Sequence, residues 1–75
     1  MKKFKEEDFQ IGDVIENKAG SHYEIVEADS TYIFVKYTFH KEYDVEKVIQ
    51  TVRKNFEDFL NDYNSWSQYP FYKVA

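Results

Sequence analysis

The chain has 75 residues, no cysteine and a formal net charge of −4, and aromatic residues make up 20% of it. This length allows one domain, and the lack of cysteine excludes a disulfide framework and a thiolate zinc site. No segment approaches the ~18 apolar residues of a membrane span, and the basic start does not lead into the apolar stretch of a secretory signal. We therefore expect a single small cytoplasmic domain, residues 1–75, whose core is largely aromatic.

The charged residues are distributed unevenly along the sequence. Between residues 6 and 29 there are eight acidic residues and one lysine, a net charge of −7, so the rest of the chain carries +3. A protein that binds a phosphate backbone shows a basic face, and an acidic half argues against that class. The acidic segment favours either a basic partner or a surface that is only well solvated.

After an N-terminal segment of residues 1–8, three strands are predicted. They occupy residues 9–16, 22–28 and 31–39. Gly12 interrupts the alternation of apolar and polar residues in the first strand, which indicates a bulge or a tight bend. Asp29 and Ser30 form a hairpin-type turn before the third strand, which is almost wholly β-branched or aromatic. Together the strands predict an antiparallel meander over residues 9–39.

A long amphipathic C-terminal helix is predicted at residues 44–64. Its apolar side chains fit an arc of about 120° on one side of the helix. They are Val45, Val48, Ile49, Val52, Phe56, Phe59, Leu60 and Tyr63. Asp44 is a suitable N-cap, and Tyr43 before it is placed to pack on Val48 as a hydrophobic staple. This stripe needs a covering surface, so we expect an α+β fold in which the three-stranded meander packs against the helix.

The third strand presents two different faces. The face that we assign to the helix side carries Ile33, Val35, Tyr37 and Phe39. The second face carries Tyr32 and Phe34, and two arrangements are open for it. Either the N-terminal segment with Phe4, or the aromatic tail, folds over this face, or the face stays uncovered as an apolar patch ringed by acids. An uncovered patch of that kind marks an interaction site.

The tail of residues 66–75 is rich in aromatic residues and contains the only proline of the sequence. Pro70 is compatible with the edge of a sheet and incompatible with its middle. We therefore expect residues 71–74 to form a short fourth edge strand, or an extended segment on the core, because free apolar rings in water are unfavourable. The alternative is an aromatic tail that is held by a partner.

Residues suited to catalysis or metal binding form no familiar constellation. There is no cysteine, no serine lies in a Gly-x-Ser-x-Gly elbow, and His22 and His40 are far apart in the sequence. Asp58 and Asp62 share a helix face, but a third anchored ligand for a cation is lacking. No glycine-rich phosphate loop occurs. We predict a protein that is not an enzyme and that uses no cofactor and no metal.

The segment of residues 9–15, with Gly20 and residues 23–26 after it, resembles the opening hairpin of small SH3-like barrels. In composition the chain is similar to small acidic, aromatic-rich proteins of phages and mobile elements. Several of those proteins inhibit host nucleic-acid enzymes by presenting carboxylates in place of phosphates. The first likeness implies nucleic-acid binding through sheet aromatics and Lys36, and the second implies a basic protein target.

The leading functional hypothesis is a non-enzymatic binding or regulatory protein that engages a basic protein partner, with nucleic-acid mimicry as its sharper form. It involves no direct nucleic-acid binding and no membrane. The alternatives are an SH3-like nucleic-acid-binding module and a structural subunit that homodimerises through the second sheet face or the tail strand, so both monomer and homodimer remain open. The residues expected to contact the partner are Asp13, Glu16, Glu24, Glu27, Asp29, Tyr32 and Phe34.

Overall fold

The computed structural model describes residues 3–39 and 46–75. In this part of the chain it is an α+β protein, in which one helix packs on a five-stranded antiparallel sheet. The elements in chain order are a 3₁₀ turn at Glu6–Asp8, β1 at Val14–Glu16, β2 at Ser21–Ala28, β3 at Tyr32–Phe39, β4 at Glu46–Val52, α1 at Arg53–Trp66 and β5 at Tyr72–Lys73. The strand order is β4-β3-β2-β1-β5, so β4 and β5 are the two edges.

The predicted meander is present as β1, β2 and β3, which pair antiparallel in sequence order. The first strand is shorter than predicted and begins only at Val14. Gly12 before it has a φ of 92°, which glycine adopts without strain, and its N–H donates to the Ile25 carbonyl oxygen at 2.8 Å. A bulge that the sequence did not predict lies in β2, between Ile25 and Glu27.

The predicted helix of residues 44–64 is wrong at its N-terminal end, because Glu46–Val52 is strand β4. This segment is rich in β-branched residues, which favour a strand, although the spacing of its apolar residues also fits a helical stripe. It pairs with β3 along its whole length. The main-chain groups of β3 that point away from β2 therefore have hydrogen-bond partners on β4. Three residues of the predicted helix start lie outside the described residues: Tyr43, Asp44 and Val45.

Helix α1 follows β4 without a loop. Val52 is its N-cap, with extended backbone angles of φ −71° and ψ 135°. The second half of the predicted apolar stripe is on this helix, where Phe56 and Leu60 are buried and Phe59 is 42% exposed. The C-terminal part of the helix prediction is therefore confirmed, and the helix is shorter than expected.

Buried apolar side chains form a cluster on the side of the sheet that faces α1. Its members are Phe4, Phe9, Ile15, Ile25, Ile33, Val35, Phe56, Leu60 and Phe71. Ile33 and Val35 therefore lie on the helix side, as predicted from the alternation of β3. The ring of Phe56 contacts the rings of Phe9 and Tyr23, with centroid distances of 5.1 and 5.3 Å.

The N-terminal segment and the tail are fastened to α1 by two asparagine side chains. Asn61 exchanges hydrogen bonds of 2.9 Å with both main-chain groups of Phe4. Asn64 accepts from the N–H of Phe71 at 2.7 Å and donates to its carbonyl oxygen at 3.0 Å. Of the two arrangements left open for the second face, the covered one is not observed in the described residues, because the rings of Phe4 and Phe71 both join the core on the helix side. The tail continues into β5, which pairs with β1 as the predicted edge strand.

Candidate binding surface

The sheet face turned away from α1, called the open face below, has no element of the described chain packed on it. The strand register places on this face Val14, Glu16, His22, Glu24, Glu27, Tyr32, Phe34, Lys36, Thr38, Glu46, Val48, Gln50, Val52 and Tyr72. Tyr32 is 42% exposed and Val48 is 62% exposed. The second arrangement considered for this face, an uncovered surface with aromatic and acidic side chains, is the one that the described residues show.

The open face is predominantly acidic. Lys36 is its central cation, and its Nζ lies 3.3 Å from a carboxylate oxygen of Glu46. Glu16 is also paired, with its Oε2 at 3.0 Å from Nδ1 of His22. Within residues 3–39 and 46–75, Glu24 and Glu27 have no ion-pair partner. These two carboxylates on β2 are therefore available to an incoming cation.

Aromatic side chains lie next to Glu27, whereas Glu24 lies opposite Lys36. Phe34 on β3 is the direct cross-strand neighbour of Glu27 on β2. Tyr32 lies two positions before Phe34 on the same face. A cavity of about 140 Å³ opens at this point and is lined by Glu27, Ala28, Asp29, Tyr32 and Phe34. Four of the seven residues predicted to contact a partner thus line one small cavity.

The Asp29 side chain stabilises the turn between β2 and β3. Its Oδ1 accepts from the main-chain N–H groups of Thr31 and Tyr32, at 2.8 and 2.7 Å. These hydrogen bonds favour the charged carboxylate and lower the pKa of Asp29. Its carbonyl oxygen accepts from Nε of Arg53 at 2.6 Å, which ties the turn to the start of α1. Asp29 therefore shapes the rim of the cavity as well as contributing charge to it.

The structure separates Asp13 and Glu16 from the other predicted residues. The Asp13 side chain is only 14% exposed, lies 3.2 Å from Nζ of Lys73 and accepts from the N–H of Gln10. It belongs to the β1–β5 edge rather than to the open face. Glu16 is on the open face, at its opposite corner, where it is paired with His22. The contact of all seven residues with a partner stays a prediction.

Sequence reasoning missed the part of the open face that β4 supplies. Val48 and Gln50 are exposed there beside Phe34 and Lys36, but the helix prediction had placed Val48 on an apolar helix stripe. The high β-branched content of residues 48–52 was the available signal. Because β3 is the segment with the strongest strand propensity, pairing with it favours the strand conformation of residues 46–52.

A second apolar surface lies on the helix side, near the free edge of β4. A groove of about 180 Å³ there is lined by Tyr23, Val35, Ile49, Thr51, Asn55, Phe56 and Phe59. Ile49 is 44% exposed and Phe59 is 42% exposed. Burial raises the pKa of Tyr23 to about 12, and the neighbouring Tyr37 and Tyr63 add to this effect. The groove is therefore suited to an apolar group.

The described ranges contain neither a candidate metal site nor a membrane-spanning helix. They contain no group of three or more His, Asp or Glu side chains that would hold a metal ion. Their helix is also too short and too polar to cross a membrane. His40 lies outside these ranges. Comparison of the chain with protein-family models, curated proteins and solved structures gives no match.

Proposed function

We propose that this protein is a non-enzymatic binding protein whose open face engages a basic protein partner. The observation that carries this proposal is the juxtaposition of Glu27 with Tyr32 and Phe34, with Glu24 further along the same strand, on a sheet face that no described element covers. An acidic face with exposed aromatic rings attracts cationic groups over a distance and then offers them apolar contacts at short range.

Arginine is the side chain that suits this surface best. A guanidinium group pairs with carboxylates through directed hydrogen bonds and also stacks on aromatic rings. The cavity between Glu27, Tyr32 and Phe34 offers both kinds of contact within about 140 Å³. We infer that the partner inserts an arginine there and that Glu24 provides a further contact beside it.

In the sharper form of the proposal, the carboxylates of the open face take the place of nucleic-acid phosphates in the basic channel of an enzyme. Glu16 on β1 and Glu24 and Glu27 on β2 lie on strands about 4.8 Å apart, so they form a short acidic array. Inhibition of this kind is competitive with the nucleic acid. Raising the DNA concentration should restore the activity of the inhibited enzyme, and inhibition that DNA cannot relieve would exclude this form.

Direct nucleic-acid binding is less well supported. It requires a positive groove along the phosphate backbone, and Lys36 at the centre of the open face is paired with Glu46 at 3.3 Å. The remaining face carboxylates would repel phosphates.

The proposal is tested with a fluorescein-labelled peptide of alternating arginine and glycine, whose binding is followed by anisotropy at low ionic strength. The double variant Glu24→Lys/Glu27→Lys should bind about tenfold more weakly, or ~1.4 kcal/mol. Glu7→Lys/Asp62→Lys is the matched control, because it changes the net charge equally and both positions are exposed away from the open face. The control should retain most of the affinity of the parent protein.

Salt gives a second readout of the same experiment. Binding of the parent protein should weaken as ionic strength rises, because exposed charges more than about 10 Å apart are screened at 0.1 M salt. Equal losses in the two double variants would show that only the net charge matters. Absence of binding to the parent protein at low salt would contradict an acidic docking face altogether.

A further inference from the structure

The edge strand β4 is exposed along most of its length. No strand of the described chain pairs with its outer side, and residues 46–50 are exposed, including Val48 at 62% and Ile49 at 44%. The strand has seven residues, no proline and an uninterrupted register with β3. The opposite edge, β5, has only two residues. A long, regular edge with exposed apolar side chains is a template for a further strand.

The hydrogen-bond phase of β4 shows which of its main-chain groups face outward. Arg53 donates its N–H to the Thr31 carbonyl oxygen at 2.9 Å, one position beyond the last pair of the β3–β4 ladder. Hydrogen-bonded and non-hydrogen-bonded pairs alternate along an antiparallel ladder, so the odd-numbered residues of β4 bond to β3. The N–H and C=O groups of Val48 and Gln50 therefore point away from β3, towards the uncovered edge.

The charges indicate that a second copy of the chain fits this edge and does not fit the open face. Glu46 and Lys47 cancel, so β4 itself carries no net charge. The open face carries four glutamates and one lysine, Lys36, so its net charge is negative and two such faces repel each other. The same strand edge on two copies of the chain is also self-complementary, because a two-fold axis places the two strands antiparallel to each other.

We propose that the outer edge of β4 is a self-association site, where the β4 strands of two copies pair antiparallel about a two-fold axis at Ile49. This register uses all seven residues of each strand and brings the outward groups of Val48 opposite those of Gln50 in the second copy. Lys47 lies opposite Thr51, so no like charges meet. Two five-stranded sheets become one continuous sheet, and both open faces remain accessible.

The apolar surface that the dimer would bury lies on the helix side of the continuous sheet. Ile49 faces its symmetry mate in a non-hydrogen-bonded pair, the kind in which cross-strand side chains are closest. The groove beside it, with the exposed ring of Phe59, becomes continuous with the equivalent groove of the second copy. Apolar surface that water covers in the monomer is thereby removed from solvent.

Sedimentation equilibrium from micromolar to millimolar concentration tests this register. The parent protein should show a mass that rises with concentration from 9.1 kDa towards twice that value. Ile49→Lys and Ile49→Glu should each be monomeric, because like charges would meet at the axis, and an equal mixture of the two should dimerise. A parent protein that stays at monomer mass, or a mixture that stays monomeric, would overturn the proposal.

A second pair of variants tests the main-chain contacts. Gln50→Pro removes an outward N–H and leaves the ladder to β3 intact, which an edge strand tolerates. It should reduce dimerisation at least tenfold, whereas Gln50→Ala should not. Circular dichroism checks that each variant is folded, and only folded variants are compared. Dimerisation that survives both Gln50→Pro and Ile49→Lys would place the interface elsewhere and overturn the assignment to β4.

Discussion

The two faces of the sheet are built by the same strands and differ in what covers them. On the helix side Ile25 and Ile33 are fully buried, beneath α1 and the two segments that Asn61 and Asn64 hold in place. On the open face Tyr32 is 42% exposed and no described element lies above it. Alternation along each strand therefore produces one surface that is buried in the core and another that stays exposed to solvent.

Removal of a ring from the core should destabilise the protein strongly. Phe56→Ala should cost about 3–5 kcal/mol, because its ring is 5% exposed and contacts Phe9 and Tyr23. This is comparable with the whole stability of a small domain, at roughly 0.05–0.15 kcal/mol per residue. Phe34→Ala on the open face should cost only about 1 kcal/mol. Chemical denaturation of both variants measures this contrast.

We expect a molten or unfolded protein for Phe56→Ala and a cooperative transition for Phe34→Ala. A Phe56→Ala protein that melts cooperatively within a few degrees of the parent would contradict the placement of this ring in the core. Equal losses in the two variants would show that the two faces are packed alike.

A smaller effect is expected when the tail is released from α1. Asn64→Ala removes both hydrogen bonds to Phe71 and should cost about 1–3 kcal/mol. The N–H of Val74, which donates to the Val14 carbonyl oxygen at 2.8 Å, should then exchange faster with solvent. Asn55→Ala, at an exposed position of the same helix, is the control. Unchanged exchange at Val74 would show that the tail is held without Asn64.

The alternation along the strands and part of the helix were predictable from the sequence, whereas the pairing of residues 46–52 with β3 was not. The period of two in β3 correctly placed Ile33 and Val35 on the helix side, and Pro70 correctly indicated an edge strand. Residues 46–52 were misassigned because their apolar spacing fits both a helix and a strand. The pairing with β3 that decides between them is a tertiary contact, which local periodicity does not contain.

The open face was predictable only in part for the same reason. Glu27 and Phe34 were expected to act together, and the register makes them direct neighbours. The separation of Asp13 from this pair depends on its contact with Lys73, which lies 60 positions further along the sequence. Likewise, the placement of Phe4 depends on Asn61, and no local pattern links two residues so far apart.

Alkaline pH should destabilise the folded protein through Tyr23 on the helix side. The pKa of Tyr23 is raised from 10.0 to about 12 in the folded protein, so the folded state retains this proton more strongly than the unfolded state. The resulting stability is present below pH 10.0 and is lost as the pH rises towards about 12. Denaturation as a function of pH should show this decline in the parent protein and a shallower one in Tyr23→Phe. Identical slopes would contradict the partial burial of Tyr23.

Acid pH should cause a slight loss of stability through Asp29, in the turn beside the open face. The main-chain hydrogen bonds to Asp29 lower its pKa in the folded protein below the ordinary value of 3.8. The stability that these hydrogen bonds provide is therefore fully present above pH 3.8, and it is lost as the pH falls through the lowered pKa of the folded protein. Asp29→Asn keeps an acceptor oxygen and should lack this part of the acid decline. Melting temperatures of the two proteins should therefore converge as the pH falls below the ordinary value, and a constant difference would contradict this role.

The open face itself is tested most directly by an NMR titration of the protein with the arginine–glycine peptide. We predict shift changes concentrated at Glu24, Glu27 and Phe34, with the exposed helix positions Asp58 and Asp62 unaffected. Changes that centre on α1, or that spread evenly over all acidic residues, would contradict binding through the uncovered side of the sheet.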